Sequence, residues 1–131
     1  KTKNSPVYQN REEAVRARYF AGKLKKSSVE TLVARGLGEN TDGFVWRSDP
    51  RLRIKSRLYL SEAQILQMIQ DITAHVLVIE AEDTDTRRWV DLLRSRLGYL
   101  KNLDHRILPG GHHLHLDEPQ SVASAIKDFL K

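Results

Sequence analysis

Leu108-Pro109-Gly110-Gly111-His112-His113-Leu114-His115-Leu116-Asp117-Glu118-Pro119 sets three histidines between an apolar segment and an amphipathic one. Upstream, Arg106-Ile107-Leu108 reads as a short strand. Downstream, Pro119 to Leu130 places Val122, Ala123, Ile126, Phe129 and Leu130 at helical spacing. A histidine in a loop at the carboxyl end of a parallel strand stands where α/β enzymes put reactive groups. Gly110 and Gly111 let the chain turn without a Cβ clash and project the next side chain into a cleft. Asp117 and Pro119 suit the start of the terminal helix, as its cap and its first-turn residue.

Working back from this loop, the run His75-Val76-Leu77-Val78-Ile79 is apolar at nearly every position and mostly β-branched. That pattern predicts a parallel strand buried on both faces. An acidic loop follows, Glu80 to Asp85, and then Trp89, Val90, Leu92, Leu93 and Leu97 predict a helix over Arg87 to Leu97. From Ile72 onward the order is therefore β-α-β-α. Two parallel strands leave unpaired edges, so the sheet is expected to be incomplete and its missing strands to come from another segment or chain.

The region before Ile72 reads as helices and loop. Ala14, Val15, Tyr19 and Phe20 mark a helix over Arg11 to Phe20. Ser27 and Glu30 fit a capping box opening a second helix that Gly36 closes, and a third helix runs from Ser61 to Asp71. Gly36 to Arg53 is rich in turn-forming residues and predicts a loop, with Phe44 and Trp46 tucked against a neighbour.

Bulk properties narrow the classes. The chain has 131 residues, 40% of them hydrophobic and 30% charged, as a folded globular domain requires. The net charge of +5 is uneven: residues 1 to 60 hold 14 Lys/Arg against 6 Asp/Glu, and residues 61 to 131 hold 8 against 11. No aromatic residue interleaves with the Lys23, Lys25, Lys26 cluster for base stacking, so a nucleic-acid partner is not expected. No apolar run approaches the roughly 20 residues of a membrane span, and Lys1 to Asn10 has no signal-peptide character. Without cysteine there are no disulfides or thiolate metal sites, and a cytoplasmic location is expected.

Residues 109 to 123, Pro-Gly-Gly-His-His-Leu-His-Leu-Asp-Glu-Pro-Gln-Ser-Val-Ala, resemble the catalytic-histidine loop and terminal helix of the α/β-hydrolase superfamily, and most closely the serine hydrolase-like proteins. Two further segments join the resemblance: residues 42 to 52, Asp-Gly-Phe-Val-Trp-Arg-Ser-Asp-Pro-Arg-Leu, which resemble the cap, and residues 75 to 79, like the strand that ends near the acid. The resemblance implies the C-terminal portion of an α/β-hydrolase fold, with residues 1–71 as a helical cap and 72–131 as the last β-α-β-α part of an incomplete sheet.

It also implies a serine hydrolase acting on an ester or related acyl bond in a small molecule, with no cofactor. His112, directly after the two glycines, matches the catalytic base. For the acid, Ala81 takes the small-residue place, and Asp83 is assigned with Asp85 next; either carboxylate can equally cap the following helix. His113 and His115 are expected to be structural or to line the cleft, and the three histidines are not expected to bind a metal. Tyr19, Phe20, Phe44 and Trp46 are candidates to line an acyl pocket under the cap.

The sequence departs from the family in one large respect. It contains no Gly-x-Ser-x-Gly, so the nucleophile and oxyanion donors are expected from an N-terminal hydrolase segment or second chain, and the chain alone is expected to be inactive. The alternative is a non-catalytic interaction module or a truncated pseudo-hydrolase.

Overall fold

Helix α1 (Arg11–Ala21) begins where two side chains satisfy one amide of its first turn and one just before its cap. Asn10 accepts from the Glu13 amide at 2.8 Å, and the Glu13 carboxylate accepts from the Gln9 amide at 2.7 Å. The computed structural model of the chain describes residues 6–83 and 87–131 and divides it into two compact units, 1–57 and 58–131. In the first unit α1 packs on α2 (Lys26–Gly36), burying Ala14, Val29 and Val33. The expected Ser27 capping box does not form. The helix starts from Lys25, which places Ser27 inside the first turn, where its carbonyl accepts from the Thr31 hydroxyl at 3.0 Å.

The expected loop after Gly36 is instead a β-hairpin, β2 (Leu37–Asn40) and β3 (Gly43–Trp46), and β1 (Val7–Tyr8) adds to β3 in an antiparallel sheet of order β1-β3-β2. The turn is set by short-range chemistry. Asn40 accepts from the Asp42 amide at 2.9 Å, and Gly43 has φ of +132°, where a Cβ would lie 2.5 Å from the Tyr8 carbonyl. Gly36 is helical rather than left-handed, and its role is steric: a Cβ there would meet the Trp46 ring at 2.6 Å. Trp46 Nε1 donates to the Tyr8 hydroxyl at 3.3 Å, and the Arg11 guanidinium lies 5.3 Å from the Phe44 ring centre. Both aromatics are thus tucked in as expected, but within a sheet. A short 3₁₀ helix (Pro50–Arg53), capped by Asp49, follows.

In the second unit Ser61 and Gln64 form a reciprocal capping box at the start of α3 (Glu62–Gln70). This helix lies in the same compact unit as the strands, whose boundary falls between Arg57 and Leu58. Then β4 (Val76–Ala81), α4 (Arg87–Leu97) and β5 (Leu103–Leu108) give a parallel pair joined through a helix, in register from Val76↔Leu103 to Ala81↔Leu108. β5 starts three residues before the expected Arg106. A one-turn helix α5 (Leu114–Asp117) and α6 (Pro119–Phe129) complete the unit. Asp117 does not cap α6: it ends α5, Glu118 occupies the cap position, and Pro119 supplies the pre-set first turn.

Two polar contacts fix which helix covers which face. Glu80 on β4 bonds Arg94 of α4, whereas Arg106, whose partner across the ladder is Ile79, donates to the Ala125 carbonyl of α6 at 3.1 Å. Side chains alternate along a strand, so α4 and α6 lie on opposite faces of the two-stranded sheet. The His75 ring meets that of Phe129 at a tilt of 47°, centres 4.6 Å apart, and ties α6 to the entrance of β4. The β-α-β-α order read from the sequence is present, yet every residue of β4 is only half-buried. Among the described residues no helix is long and apolar enough to cross a membrane.

Candidate functional site

The loop carrying the histidines and the loop carrying Asp83 leave β5 and β4 at the same level and remain joined. The Glu82 amide donates to the Leu108 carbonyl at 2.9 Å, the last bond of the ladder pattern, and the Asp83 amide donates to the Gly110 carbonyl at 3.0 Å, a bond between the two loops just beyond it. Gly110 then turns the chain with φ of +136°, over a buried Leu114 whose Cδ1 would lie 2.6 Å from an added Cβ. The Leu114 amide closes the turn onto the Gly111 carbonyl at 2.9 Å. This anchoring leaves His112 exposed at the outside of the turn.

His113 is half-buried and His115 is exposed; the ring centres are 5.0 Å apart for His112 and His113, and 6.3 Å for His113 and His115. Among the described residues no group of three or more ligating side chains is disposed to hold a metal ion. His112 lines a cavity of about 300 Å³ whose other walls are β4, from Val78 to Ala81, and Val90, Leu93, Arg94 and Leu97 of α4. The lining is mainly apolar with convergent charged groups, the general form of a small-molecule site.

Of the acidic loop residues, Asp83 stands exposed on the turn bonded to Gly110, and Asp85 lies outside the described residues. Sequence reasoning counted Glu80 among the four carboxylates of the acidic loop without choosing it; it lies in β4 and lines the same cavity. Its carboxylate accepts from Arg94 Nε at 3.2 Å and from Arg94 Nη2, and its other contact is His105 Nε2 at 3.0 Å. The Arg94 hydrogen bonds hold this carboxyl below its ordinary range. Burial opposes them, and the charge of Arg94 and the His105 contact assist. Glu80 therefore ties β4, β5 and α4 together. A single charge in an otherwise apolar strand was the signal that could have singled it out.

In the first unit the four aromatic candidates separate. Phe44 and Trp46 are half-buried in the sheet, while Tyr19 and Phe20, an edge-to-face pair at 5.8 Å, are 47% and 85% exposed.

No protein-family model matches the chain. Over 113 residues it is 27% identical to a serine hydrolase-like protein of Dictyostelium discoideum, covering 82% of this chain and 31% of that protein. Over 122 residues it is 28% identical to a serine hydrolase-like protein of Danio rerio, covering 82% and 35%. A crystal structure of a hypothetical protein from Pseudomonas aeruginosa PAO1 superimposes with a TM-score of 0.86 at 35% identity, covering 98% of this chain and 46% of that one. The thioesterase domain from the curacin biosynthetic pathway gives a TM-score of 0.77 at 24% identity, covering 97% and 46%. The chain spans about a third of these curated relatives and just under half of these solved chains.

Proposed function

From the premise that the chain carries part of an α/β-hydrolase fold, we propose that it supplies the histidine and the acid of a Ser-His-acid triad, His112 and Asp83, to a hydrolase of ester or related acyl bonds. The observation that supports this most is the main-chain joint between the two loops, Asp83 to Gly110, two residues before an exposed histidine that lines an apolar cavity. A joint of this kind holds the two loops at a set spacing before any substrate arrives.

In this reading His112 takes the proton of a serine hydroxyl as its oxygen attacks the acyl carbon, then returns it to the leaving group. The Asp83 carboxylate holds the imidazole in the required tautomer and stabilises its charged form. The serine and the oxyanion donors come from a hydrolase segment outside this sequence, which has no Gly-x-Ser-x-Gly. Residues 1–71 act as the cap in this reading.

Labelling with a fluorophosphonate probe tests this. The chain alone should remain unlabelled, and its assembly with a complementary hydrolase segment should be labelled on that segment's serine. His112→Ala in the assembly should lower kcat/KM by about 10⁴-fold, and Asp83→Asn should lower it strongly too. Labelling of the chain alone would reveal a nucleophile in it. Labelling and turnover indifferent to His112→Ala would remove the base assignment.

A further inference from the structure

Tyr19 and Phe20, the exposed aromatic pair of the first unit, stand inside a stretch of uniform charge. Residues 16 to 26, Arg-Ala-Arg-Tyr-Phe-Ala-Gly-Lys-Leu-Lys-Lys, hold five Lys/Arg and no Asp/Glu. They form the end of α1 and the corner that leads into α2. The fold fixes this corner. The Gly22 amide donates to the Tyr19 carbonyl at 3.4 Å and closes α1, while the Arg18 guanidinium lies over Gly22, where a Cβ would come within 2.5 Å of its Nη1. Leu24, 4% exposed, anchors the chain in the core between the exposed Lys23 and Lys25.

Ala14, fully buried, marks the inner side of α1, so the helical period puts Arg16 and Phe20 one turn apart on the outer side. A scattered exposed apolar residue is ordinary. Here two touching rings, Phe20 85% exposed, stand in a patch of one sign. The acids nearest in sequence do not neutralise it. Glu12 and Glu13 lie at the far end of α1, and Glu30 meets Lys26 at 3.7 Å with both side chains exposed, a pair that yields Lys26 to another anion at little cost. Cations around an exposed aromatic pair match a bilayer interface, where ammonium and guanidinium groups stay with headgroup phosphates and rings enter just beneath them. Nucleic acid would share the charge but not the ring geometry: bases stack on open ring faces, and these rings stand edge to face at 75°.

We propose that this corner docks on the anionic surface of a phospholipid bilayer, with Phe20 entering the interface beside Tyr19, and Arg16, Lys23, Lys25 and Lys26 meeting the headgroup phosphates. The chain lies on such a surface and does not span it. Charge complementarity selects the occupant, since the first unit carries +8 and residues 16 to 26 supply five of its cations. The docking rests on the first unit alone and is independent of the triad assignment.

Sedimentation with large phosphatidylcholine vesicles, pure or with about a third phosphatidylserine, tests the docking. The chain should be retained only by the mixed vesicles, and raising salt from about 0.1 M to about 0.5 M should release most of it. Arg16→Gln combined with Lys26→Gln should weaken binding by roughly 5-fold per charge removed, and Phe20→Ser by roughly 10-fold or more, both variants keeping the circular dichroism of the parent. Insertion has its own readout: Phe20→Trp should add a tryptophan signal that brominated lipids quench, above that of the parent. Equal retention by both vesicle types would overturn the proposal, as would binding indifferent to Phe20→Ser with no added quenching in Phe20→Trp. Salt-sensitive retention by duplex DNA, with none by mixed vesicles, would overturn it in favour of nucleic acid. Loss of vesicle binding on assembly with a complementary hydrolase segment would overturn it by giving the corner to the rest of the fold. Serine labelling and its dependence on His112 are untouched by these outcomes, so the two readings fail separately.

Discussion

The two units solve the burial problem to different degrees. The first buries Ala14, Leu24, Ser28, Val29, Val33 and Leu37 almost completely with two helices and a three-stranded antiparallel sheet. The second has more residues, and among those described it buries only Leu114 and Ala125 to that extent. Its apolar residues are more numerous, 33 against 19, but its layers cover a sheet of two strands. The difference teaches that a parallel unit with helices on both faces gains its interior from strand number, whereas a hairpin with a helix pair closes over a few side chains. Charge follows the same division. The residues of the first unit sum to +8 and those of the second to −3.

Truncating one leucine in each unit gives the largest contrast. Leu37→Ala, at a position 4% exposed, should cost about 2–5 kcal/mol, and Leu93→Ala, 57% exposed, less than about 1 kcal/mol in the chain alone. Urea unfolding followed by hydrogen-exchange mass spectrometry of each unit measures both. Equal costs would break the comparison. A Leu93→Ala cost that rises once a complementary segment is bound would sharpen it.

A smaller effect is expected at the two left-handed glycines, one in each unit. In Gly43→Ala the new Cβ meets backbone, the Tyr8 carbonyl, and should cost roughly 2–3 kcal/mol with loss of β1 pairing. In Gly110→Ala it meets a side chain, Leu114, that can shift, and roughly 1–2 kcal/mol is expected, with a displaced His112 loop. Thermal unfolding monitored by circular dichroism separates the two, and a larger loss at Gly110 would reverse the ranking.

The smallest effect concerns acid. Glu62, Glu80 and Asp104 in the second unit are each held below the ordinary carboxyl range, first by the hydrogen bonds of Arg96, Arg94 and Arg106 respectively. In the first unit Asp49 is so held by the hydrogen bonds of Arg51. A depressed carboxyl stabilises the fold above its unfolded pKa, about 4, and that contribution is lost as pH falls through the folded value. Below about pH 4 the second unit should therefore loosen before the first, and Glu80→Gln should flatten part of that decline. Exchange profiles along a pH titration would show the order, and earlier loosening of the first unit would contradict it.

What the sequence made legible follows from the length and period of its patterns. β4, α4 and α6 could be read because Val76 to Ile79 is continuously apolar and the two helices keep a clear 3.6-residue period. The histidine turn could be read because Gly110 stands where the backbone needs a left-handed residue. The hairpin of Leu37 to Trp46 escaped notice because each strand is four residues long and Gly38, Glu39 and Asn40 carry no alternation, although Asp42-Gly43 is a turn signal of the right kind. Early β5 was hidden by Asp104 and His105, whose partners Arg106 and Glu80 are supplied only by the fold. The Ser27-Glu30 spacing misled because it matched a cap two residues beyond the true one, inside the first turn. Within the site, the pairing of Asp83 with Gly110 depends on the register of two strands more than 20 residues apart, which no local pattern encodes.

The order β1-β3-β2 has a consequence for how the chain folds in time. β2 and β3 face each other across Thr41 and Asp42 and can close within about 1–10 μs, the time of an isolated hairpin. Of these three strands β1 is synthesised before the other two but meets its partner after they can meet each other, because Tyr8 and Trp46 are 38 residues apart and every residue between them must be synthesised before Val7 can find Val45. Within this sheet the earliest strand in the sequence is the last to be placed, and the Trp46 indole, which bonds Tyr8 only when that strand arrives, reports the moment it does.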